Sequence, residues 1–597
     1  MAAEGPTGRP PVLECSAARA ARRAAPGPTA PLEQLRRLDL DRYLVPFSLR
    51  QVPQYRYDVV VLGTGVAGCV TALAAARAGA SVAVLAKDRL DVTNTAWARG
   101  GVAAVLGADD SFQSHVADTV AVGCGLVDED VARRVIEGGP SSIARLESLG
   151  ASFDRKGDGA PDLSMEGGHS HPRILHARGD STGREIQGTL GEVVQAEPGI
   201  DVFEEMFGVD VLSDEAGRTV GVLCRNHRGE LTAYGASQVV LATGGGGQIY
   251  RETTNPTIAT GDGVAMGFRA GAVVRDMEFV QFHPTCLYIA GAARVLISEI
   301  VRGAGGVLRD KDGVRFMTEV HPDAELAPRD TVSRAVSRRM AETGATSVGL
   351  DLTGVDRDPH EAFPSISRIC RFFGIDIARD PIPVRPGAHY MIGGLAVDGT
   401  GQTSVPGLWA VGECASTGLH GANRMGSNSL LEGMVLGETV GRCAAVAAEA
   451  VGRPEIQSAS ERIREDAPSG VQVNIADLTY SLKSLMWRQM GVERSAEGME
   501  GALETFDFWA RAVRSLRLDD ERSIELVNML TVARLATLGA CHREESRGTH
   551  FRSDHPERDD ARWRVHVEQA PERLVDIIRS VELRRTPVRS VEGVPAP

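Results

Sequence analysis

The hydrophobic pattern changes period several times along the chain. Residues 57–63 (YDVVVLG) hold an unbroken β-branched run that reads as a strand, and residues 70–79 (VTALAAARAG) read as a helix ending at Gly79. A second strand at 81–87 (SVAVLAK) completes a β-α-β unit of about 30 residues, the size of a parallel crossover. Farther on, two stretches repeat the strand-then-glycine pattern: 237–247 (SQVVLATGGGG) and 405–413 (VPGLWAVGE). A Gly/Ala-rich helix is expected from Ser429 to about Val451. Near residue 455 the character shifts to charged, leucine-bearing helical segments that run to about residue 580. At 597 residues the chain calls for two or three domains.

The run from Val59 to Ala76 carries no charge and comes close to the length of a membrane span. Gly63, Gly65 and Gly68 interrupt it, so strand–loop–helix is the better reading and no membrane span is expected. The first 30 residues are rich in Ala, Arg, Pro and Gly with no apolar core, which reads as a disordered extension rather than a secretory signal. Residues 31–55 read as a short ordered approach to the first domain.

Composition adds three constraints. Glycine, at 67 residues, makes up about 11% of the chain against a usual share of about 7%, which points to tight turns and close backbone–ligand approaches. The net charge of −14, with no basic block interleaved with aromatics, argues against a nucleic-acid surface. Nine scattered cysteines without a Cys-x-x-Cys pair lack the spacing of a zinc or iron–sulfur site, so no metal is expected, and a reducing cytoplasm is the simplest compartment.

Gly63-Thr64-Gly65-Val66-Ala67-Gly68 follows the first strand and opens the helix. In such a loop the first glycine makes the turn, the second lets backbone reach a pyrophosphate, and the third lets helix and strand pack closely. Alone the motif has little specificity; its strand–turn–helix–strand setting makes it a dinucleotide site. The acidic ribose ligand usual at the end of the second strand is missing. Lys87 stands there, and Glu413, at the end of a later strand, is the candidate acid.

Together with TAWARGGVAAV, LATGGGGQIY, MEFVQFHPT, ISEIVRGAGG, LAPRDTVSRAV, HYMIGG, AVGECA, LHGANRMGSNSLLEG and ESRGTHFRSDHPERDD, these segments resemble the flavoprotein family of succinate dehydrogenases, fumarate reductases and aspartate oxidases over roughly residues 55–560. The resemblance implies an α/β fold: a Rossmann-like FAD-binding domain in two segments (55–276 and 391–455), an inserted α+β capping domain (277–390) and a C-terminal helical domain (456–580). It further implies FAD contacts at Thr64–Ala67, Lys87, Asn94, Thr95, Ala96, Trp97, Ala98, Arg99, Gly100, Gly101, Asp262, Glu413, Ser429 and Leu430. Members that sit in membrane complexes carry, near Asn94, a histidine that bonds covalently to the flavin. This stretch reads Val92-Thr93-Asn94-Thr95, and asparagine has no nucleophilic ring nitrogen, so non-covalent FAD is expected.

For the substrate, the resemblance implies anion clamps at His283, Ser298, His389 and Arg424 around a four-carbon dicarboxylate. Ser298 stands where the family carries threonine, which keeps the hydroxyl. Arg329 matches the family's proton-moving arginine. An arginine, ordinarily with a pKa of about 12.5 or more, needs a tuned relay for that work, and Glu299 and Arg302, three apart on one helical face, match the rest of it. Glu166, in Glu-Gly-Gly-His-Ser-His, resembles the aspartate-oxidising branch: its carboxylate would pair the ammonium that separates aspartate from succinate. Pro172 replaces an arginine that usually follows this run. The implied activity is oxidation of L-aspartate to iminoaspartate by hydride transfer to flavin N5, with O2 or fumarate as acceptor. The product would feed quinolinate synthase in NAD biosynthesis. A fumarate reductase or succinate dehydrogenase flavoprotein subunit is the alternative, and a non-catalytic flavin-binding interaction protein is the alternative of another class.

Overall fold

A computed structural model describes residues 36–289, 294–454, 456, 473–514, 516–574 and 577–589. The expected N-terminal extension, 1–30, lies outside the described residues. The fold is α/β, and its centre is a five-stranded parallel sheet in the order Leu408–Ala410, Gln238–Leu241, Val59–Leu62, Val82–Leu85, Ile200–Phe203. The unalternating Val-Val-Val-Leu of 59–62 is explained by burial of every residue, as in a parallel sheet covered on both faces. Two helices cover one face. Val66–Arg77 packs along Asn428–Val451, where Gly433, Gly437 and Gly441 recur every four residues. A Cβ at Gly437 would lie 3.0 Å from the Ala67 carbonyl oxygen and one at Gly441 2.3 Å from that of Thr71, so this stripe sets the helix separation.

The two strand–glycine stretches read from the sequence, 237–247 and 405–413, supply neighbouring strands of this one sheet although they lie far apart in the chain. Within the intervening chain, residues 280–391 build a separate layer where the cap is expected. Its antiparallel sheet runs Val280–Leu287, Ile382–Met391, Val348–Asp351, Val307–Arg309, and the helix Arg329–Thr343 packs on it over a separate apolar core that includes Leu308, Val332, Val336, Leu350 and Ile366. A three-stranded patch (Val102–Ala103, Ile174–Leu175, Leu163–Ser164) carries the loop with Glu166.

The C-terminal region supplies helices Ile475–Gln489, Ala496–Arg514 and Glu521–His542. Within the span read as helical the chain then turns to β. Val565–Leu574 and Ile577–Pro587 form a long hairpin that pairs with Arg37–Asp41 on one side and Val274–Arg275 on the other. The sequence of its first strand, VHVEQAPERL, alternates too weakly to announce a strand, and the hairpin's partner Arg37–Asp41 comes from the opposite end of the described chain. Among the described residues one helix, Glu521–His542, is long and apolar enough to cross a membrane, but 89% of its most apolar window is buried inside the fold. It is a core helix, and its apolar face covers the Asp262–Ala270 helix.

One buried ion cluster ties the hairpin to the rest. His566 Nδ1 lies 2.5 Å from Asp276 Oδ2 and Nε2 3.4 Å from Asp128 Oδ1, while Arg275 and Arg543 also reach these carboxylates. Burial opposes a charged imidazole, yet Asp276 and Asp128 outweigh it and push His566 up to about 9. A raised folded-state pKa gives stability that is full below the ordinary value of about 6.5 and is lost as pH rises through about 9. Thermal unfolding monitored from pH 6 to 10 should therefore show a loss on the order of 3 kcal/mol spread between about pH 6.5 and pH 9 and nearly complete at the upper end. His566→Gln should remove that step; an unchanged step in the variant would contradict the assignment.

Candidate active site

The C-terminal ends of the parallel strands open into a cleft of about 1460 Å³, counting its open mouth. Ligand clefts of open α/β sheets lie at this edge because the strand-to-helix turns collect there. Gly63 has φ +109°, and a Cβ on it would lie 2.2 Å from the Ala242 carbonyl oxygen, so glycine is required by both backbone and space. A Cβ at Gly68 would lie 2.0 Å from the Gly63 carbonyl oxygen; this glycine lets the helix start against the strand and does not itself face the cleft. Gly65 faces the opening, and the helix that starts at Val66 begins at the cleft with the Val66 N–H donating to Thr95 Oγ1 at 3.0 Å; a helix start is the kind of site that receives a pyrophosphate.

Of the positions matched to FAD contacts, Gly63–Ala67, Lys87, Asn94, Thr95, Trp97, Ala98, Asp262, Glu413, Ser429 and Leu430 line this cleft. Lys87 Nζ pairs with Asp262 at 2.8 Å and with Glu525 of the C-terminal core helix at 2.6 Å, and it also donates to Thr260 Oγ1 at 2.8 Å. Asn528 of the same helix donates to the other Asp262 oxygen at 2.7 Å. Asn94 donates to Glu413 Oε2 at 3.0 Å, and Glu413 Oε1 accepts the Met391 N–H at 2.9 Å. Burial pushes the Glu413 carboxyl up. Asn94 Oδ1 is buried beside them without a partner among the described residues. A glycine cradle at a helix start, with an unpaired buried amide oxygen and a carboxylate farther along the cleft, fits a dinucleotide with a polyhydroxylated chain, and thus FAD.

Ala96, Arg99, Gly100 and Gly101 sit behind the lining. The Ala96 N–H caps onto Thr93 Oγ1 at 3.0 Å, and Arg99 Nη1 lies 3.7 Å from Asp180. A Cβ at Gly101 would strike Ile174 and Leu175 at 2.4 Å, so that glycine seats the small three-stranded patch.

The second half of the site lies where cap and FAD-side loops meet. Glu299 Oε2 accepts from Arg329 Nε at 2.7 Å, and Oε1 lies 2.9 Å from Arg302 Nη2 as an ion pair without hydrogen-bond alignment. All three side chains are buried. Burial disfavours the Glu299 charge, but the Arg329 and Arg302 guanidiniums overcome it and hold the carboxyl down to about 2. Arg302 also donates to the Glu325 carbonyl oxygen. Gln281 Oε1 bridges the two sides, accepting from Arg329 Nη1 and from Arg424 Nη1, each at 3.2 Å. Arg424 is held further by Ser429 Oγ at 2.6 Å and by the Tyr390 ring 4.6 Å below its guanidinium. Burial and then the neighbouring Arg329 lower it to about 10.

His283 and His389 stand with ring centroids 5.3 Å apart. Burial and the surrounding arginines push both well below the ordinary imidazole value, so both are neutral. His283 Nδ1 accepts the Thr285 N–H at 3.3 Å, which leaves the proton on Nε2 as a donor, and His389 Nδ1 meets Thr254 Oγ1 at 2.9 Å. Ser298 is buried one residue before Glu299.

Glu166, about 1% exposed, comes from the opposite side. Its Oε2 accepts from Ser427 Oγ at 2.7 Å, and its Oε1 is buried without a hydrogen-bond partner among the described residues. Burial and the negative Glu299 push its carboxyl up. A Cβ at Gly426 would lie 2.7 Å from Arg329 Nη2 and 2.8 Å from Glu166 Oε2, which brings the base candidate and the acid to one glycine. The site thus gathers three guanidiniums, two carboxylates and two neutral imidazoles.

The sequence reading missed Gln281, Ser427, Tyr390 and Glu525. Gln281 was open to it: it lies two residues before His283 on one strand, and side chains two apart share a face. Glu525 had no signal, since only folding brings it to Lys87.

Comparison with known proteins accords with this geometry. The family described as "FAD binding domain" matches residues 58–430, and that described as "Fumarate reductase flavoprotein C-term" matches residues 479–588. An L-aspartate oxidase of Streptomyces coelicolor is 44% identical over 528 residues, covering 85% of this chain and 90% of that protein. An L-aspartate oxidase of Nostoc sp. is 39% identical over 561 residues, 89% of this chain and 96% of that one. Among solved structures, E. coli quinol fumarate reductase (its FrdA chain) superposes with a TM-score of 0.85 at 33% identity, over 92% of this chain and 99% of that one. On cofactor cleft, charged cluster and similarity together, the chain belongs to the L-aspartate oxidases of the FAD-dependent succinate dehydrogenase/fumarate reductase flavoprotein family.

Proposed function

We propose that the protein oxidises L-aspartate to iminoaspartate with non-covalently held FAD. The observation that carries this reading is the buried, unpartnered Oε1 of Glu166 at the edge of a cluster with an excess of positive charge. Two carboxylates and one ammonium on a single small molecule answer that arrangement. Arg424, with neutral His389 and His283 as directional donors, binds the carboxylates, and Glu166 receives the ammonium. Ser298 adds a hydroxyl at the cap side.

Held by the cleft that Gly63–Ala67, Lys87, Asn94, Asp262 and Glu413 line, FAD would supply two-electron acceptance of the substrate's C2 hydride. The chain's own work is orientation, exclusion of water and proton handling. Arg329 reaches the site with one edge on Glu299 and one on Gln281, so its position is fixed before substrate arrives. The substrate must lose one proton besides the hydride, and Arg329 relays it: as it accepts that proton it passes its own Nε proton to Glu299, with Arg302 behind. Closure of the cap over the cleft would keep water out.

O2 or fumarate reoxidises the flavin in this reading. Iminoaspartate hydrolyses readily, so it belongs immediately before a reaction that captures it; quinolinate synthase, at the start of NAD biosynthesis, is that consumer.

Two tests follow from the assigned roles. FAD-loaded protein given L-aspartate and O2 should release ammonia and oxaloacetate, the hydrolysis products of iminoaspartate, in equal amounts. Arg329→Ala should slow that reaction about 10²–10⁴-fold with FAD still bound; wild-type-like turnover would remove Arg329 from proton transfer. Glu166→Gln should weaken L-aspartate binding by about 2 kcal/mol or more, roughly 30-fold in KM. An unchanged KM would show that Glu166 has no part in holding the ammonium.

A further inference from the structure

The loop that carries Glu166 is fastened by a buried ion cluster. Arg173, fully buried, donates from Nε and Nη2 to the two oxygens of Asp110 at 2.8 and 2.7 Å, and from Nη1 to Asp118 Oδ2 at 2.6 Å. Asp118 Oδ2 also accepts from the Ser170 N–H and hydroxyl, both at 2.8 Å. Asp118 lies in the helix Phe112–Val122 and Asp110 just ahead of it, so two points of the loop are pinned to one rigid element. A bidentate fork to Asp110 and a single charge-assisted bond to Asp118 are stronger and more directional than neutral hydrogen bonds.

One side chain carries that order across to the site. Arg173 Nη1 donates to His169 Nδ1 at 3.3 Å, which leaves the imidazole proton on Nε2, 3.1 Å from the Gly426 carbonyl oxygen. The His169 N–H closes the turn onto the Glu166 carbonyl at 3.2 Å. Burial first and Arg173 second lower His169 to about 4, so it stays neutral with this tautomer. Gly426 has no slack, because Arg329 Nη2 and Glu166 Oε2 crowd the position its missing Cβ would take. A shift of this turn therefore moves the amino end of the site, while Arg424 keeps its separate supports on Gln281, Ser429 and Tyr390.

We infer that His169, oriented by the Arg173–Asp110–Asp118 cluster, is a positioning residue that sets Glu166 and the Gly426 turn against the ammonium of the substrate. It acts through other groups and touches no reacting atom. The inference rests on the role proposed above for Glu166, and its consequence is selective: it governs recognition of the amine and leaves the carboxylate clamps alone.

The test compares His169→Ala, His169→Gln, His169→Asn and Glu166→Gln in the FAD-loaded protein. Each is read by KM and kcat for L-aspartate and by the Kd of succinate, followed through perturbation of the flavin spectrum. Loss of the bridging hydrogen bond should raise the KM for L-aspartate about tenfold in His169→Ala, a cost of about 1.4 kcal/mol, with the succinate Kd changed less than about twofold. Glutamine, long enough to accept from Arg173 and donate to Gly426, should restore most of the loss. Asparagine, one methylene shorter, should not, and it reports the same loss if the alanine variant does not fold. Equal losses for aspartate and succinate would mean a scaffold role and overturn the inference. Unchanged KM in His169→Ala and His169→Asn, beside a raised KM in Glu166→Gln, would overturn it while sparing the reading of Glu166. Unchanged KM in Glu166→Gln would end both.

Discussion

A carboxylate with about 1% of its side chain exposed sits between two guanidiniums: Glu299 accepts from Arg329 at 2.7 Å and lies 2.9 Å from Arg302. Burying any of these three charges alone would cost several kcal/mol, and removing one partner would strand the others. The surroundings follow from that constraint. A Cβ at Gly167 would lie 2.6 Å from Glu299 Oε1, so the Glu166 loop can lie against the cap only because glycine stands there. Gly426 yields in the same way to Arg329. The cap helix Arg329–Thr343 begins at Arg329 itself, so packing of the helix also places the guanidinium.

The same pairing decides what the site accepts. Glu299 neutralises one of the two guanidiniums beside it, and Arg424 brings a third positive charge without a carboxylate of its own. The imidazoles of His283 and His389 are driven neutral by burial and by these cations, so they orient a ligand without adding charge. The remaining excess calls for an anion. Glu166 qualifies the demand: raised by burial and by Glu299, it gains most from a ligand that brings a cation to its open oxygen. A dicarboxylate alone satisfies the arginines and leaves that oxygen unpaired, whereas an amino dicarboxylate satisfies both.

The cofactor half of the site was open to reading because its signals are contiguous: an apolar strand, glycines at fixed offsets and a helix of small residues follow one another between Val59 and Leu85. The substrate half was legible only by likeness to a family. Its residues come from positions 166, 283, 299, 329, 389 and 424, and no periodicity links them. The contacts that order it were less visible still. Gln281 joins Arg329 to Arg424 by a geometry that exists only once strand and loop meet. Lys87, read as a departure from the usual acidic ribose ligand, proved to be neutralised by Asp262 and Glu525 from distant helices. The C-terminal hairpin escaped for a related reason: its few buried apolar residues, among them Val567, Ile578 and Val581, are unevenly spaced among polar and charged ones, and its pairing to Arg37–Asp41 and to Val274–Arg275 and the His566 cluster arise only in the fold.

The central claim is that paired charge, with Glu166 open toward a cation, makes this a site for an amino dicarboxylate. Anaerobic mixing of the FAD-loaded protein with L-aspartate and, separately, with succinate tests it most directly, by loss of the oxidised-flavin absorbance band. The account predicts rapid bleaching by L-aspartate and none by succinate. Bleaching by succinate alone, or by neither, would contradict it.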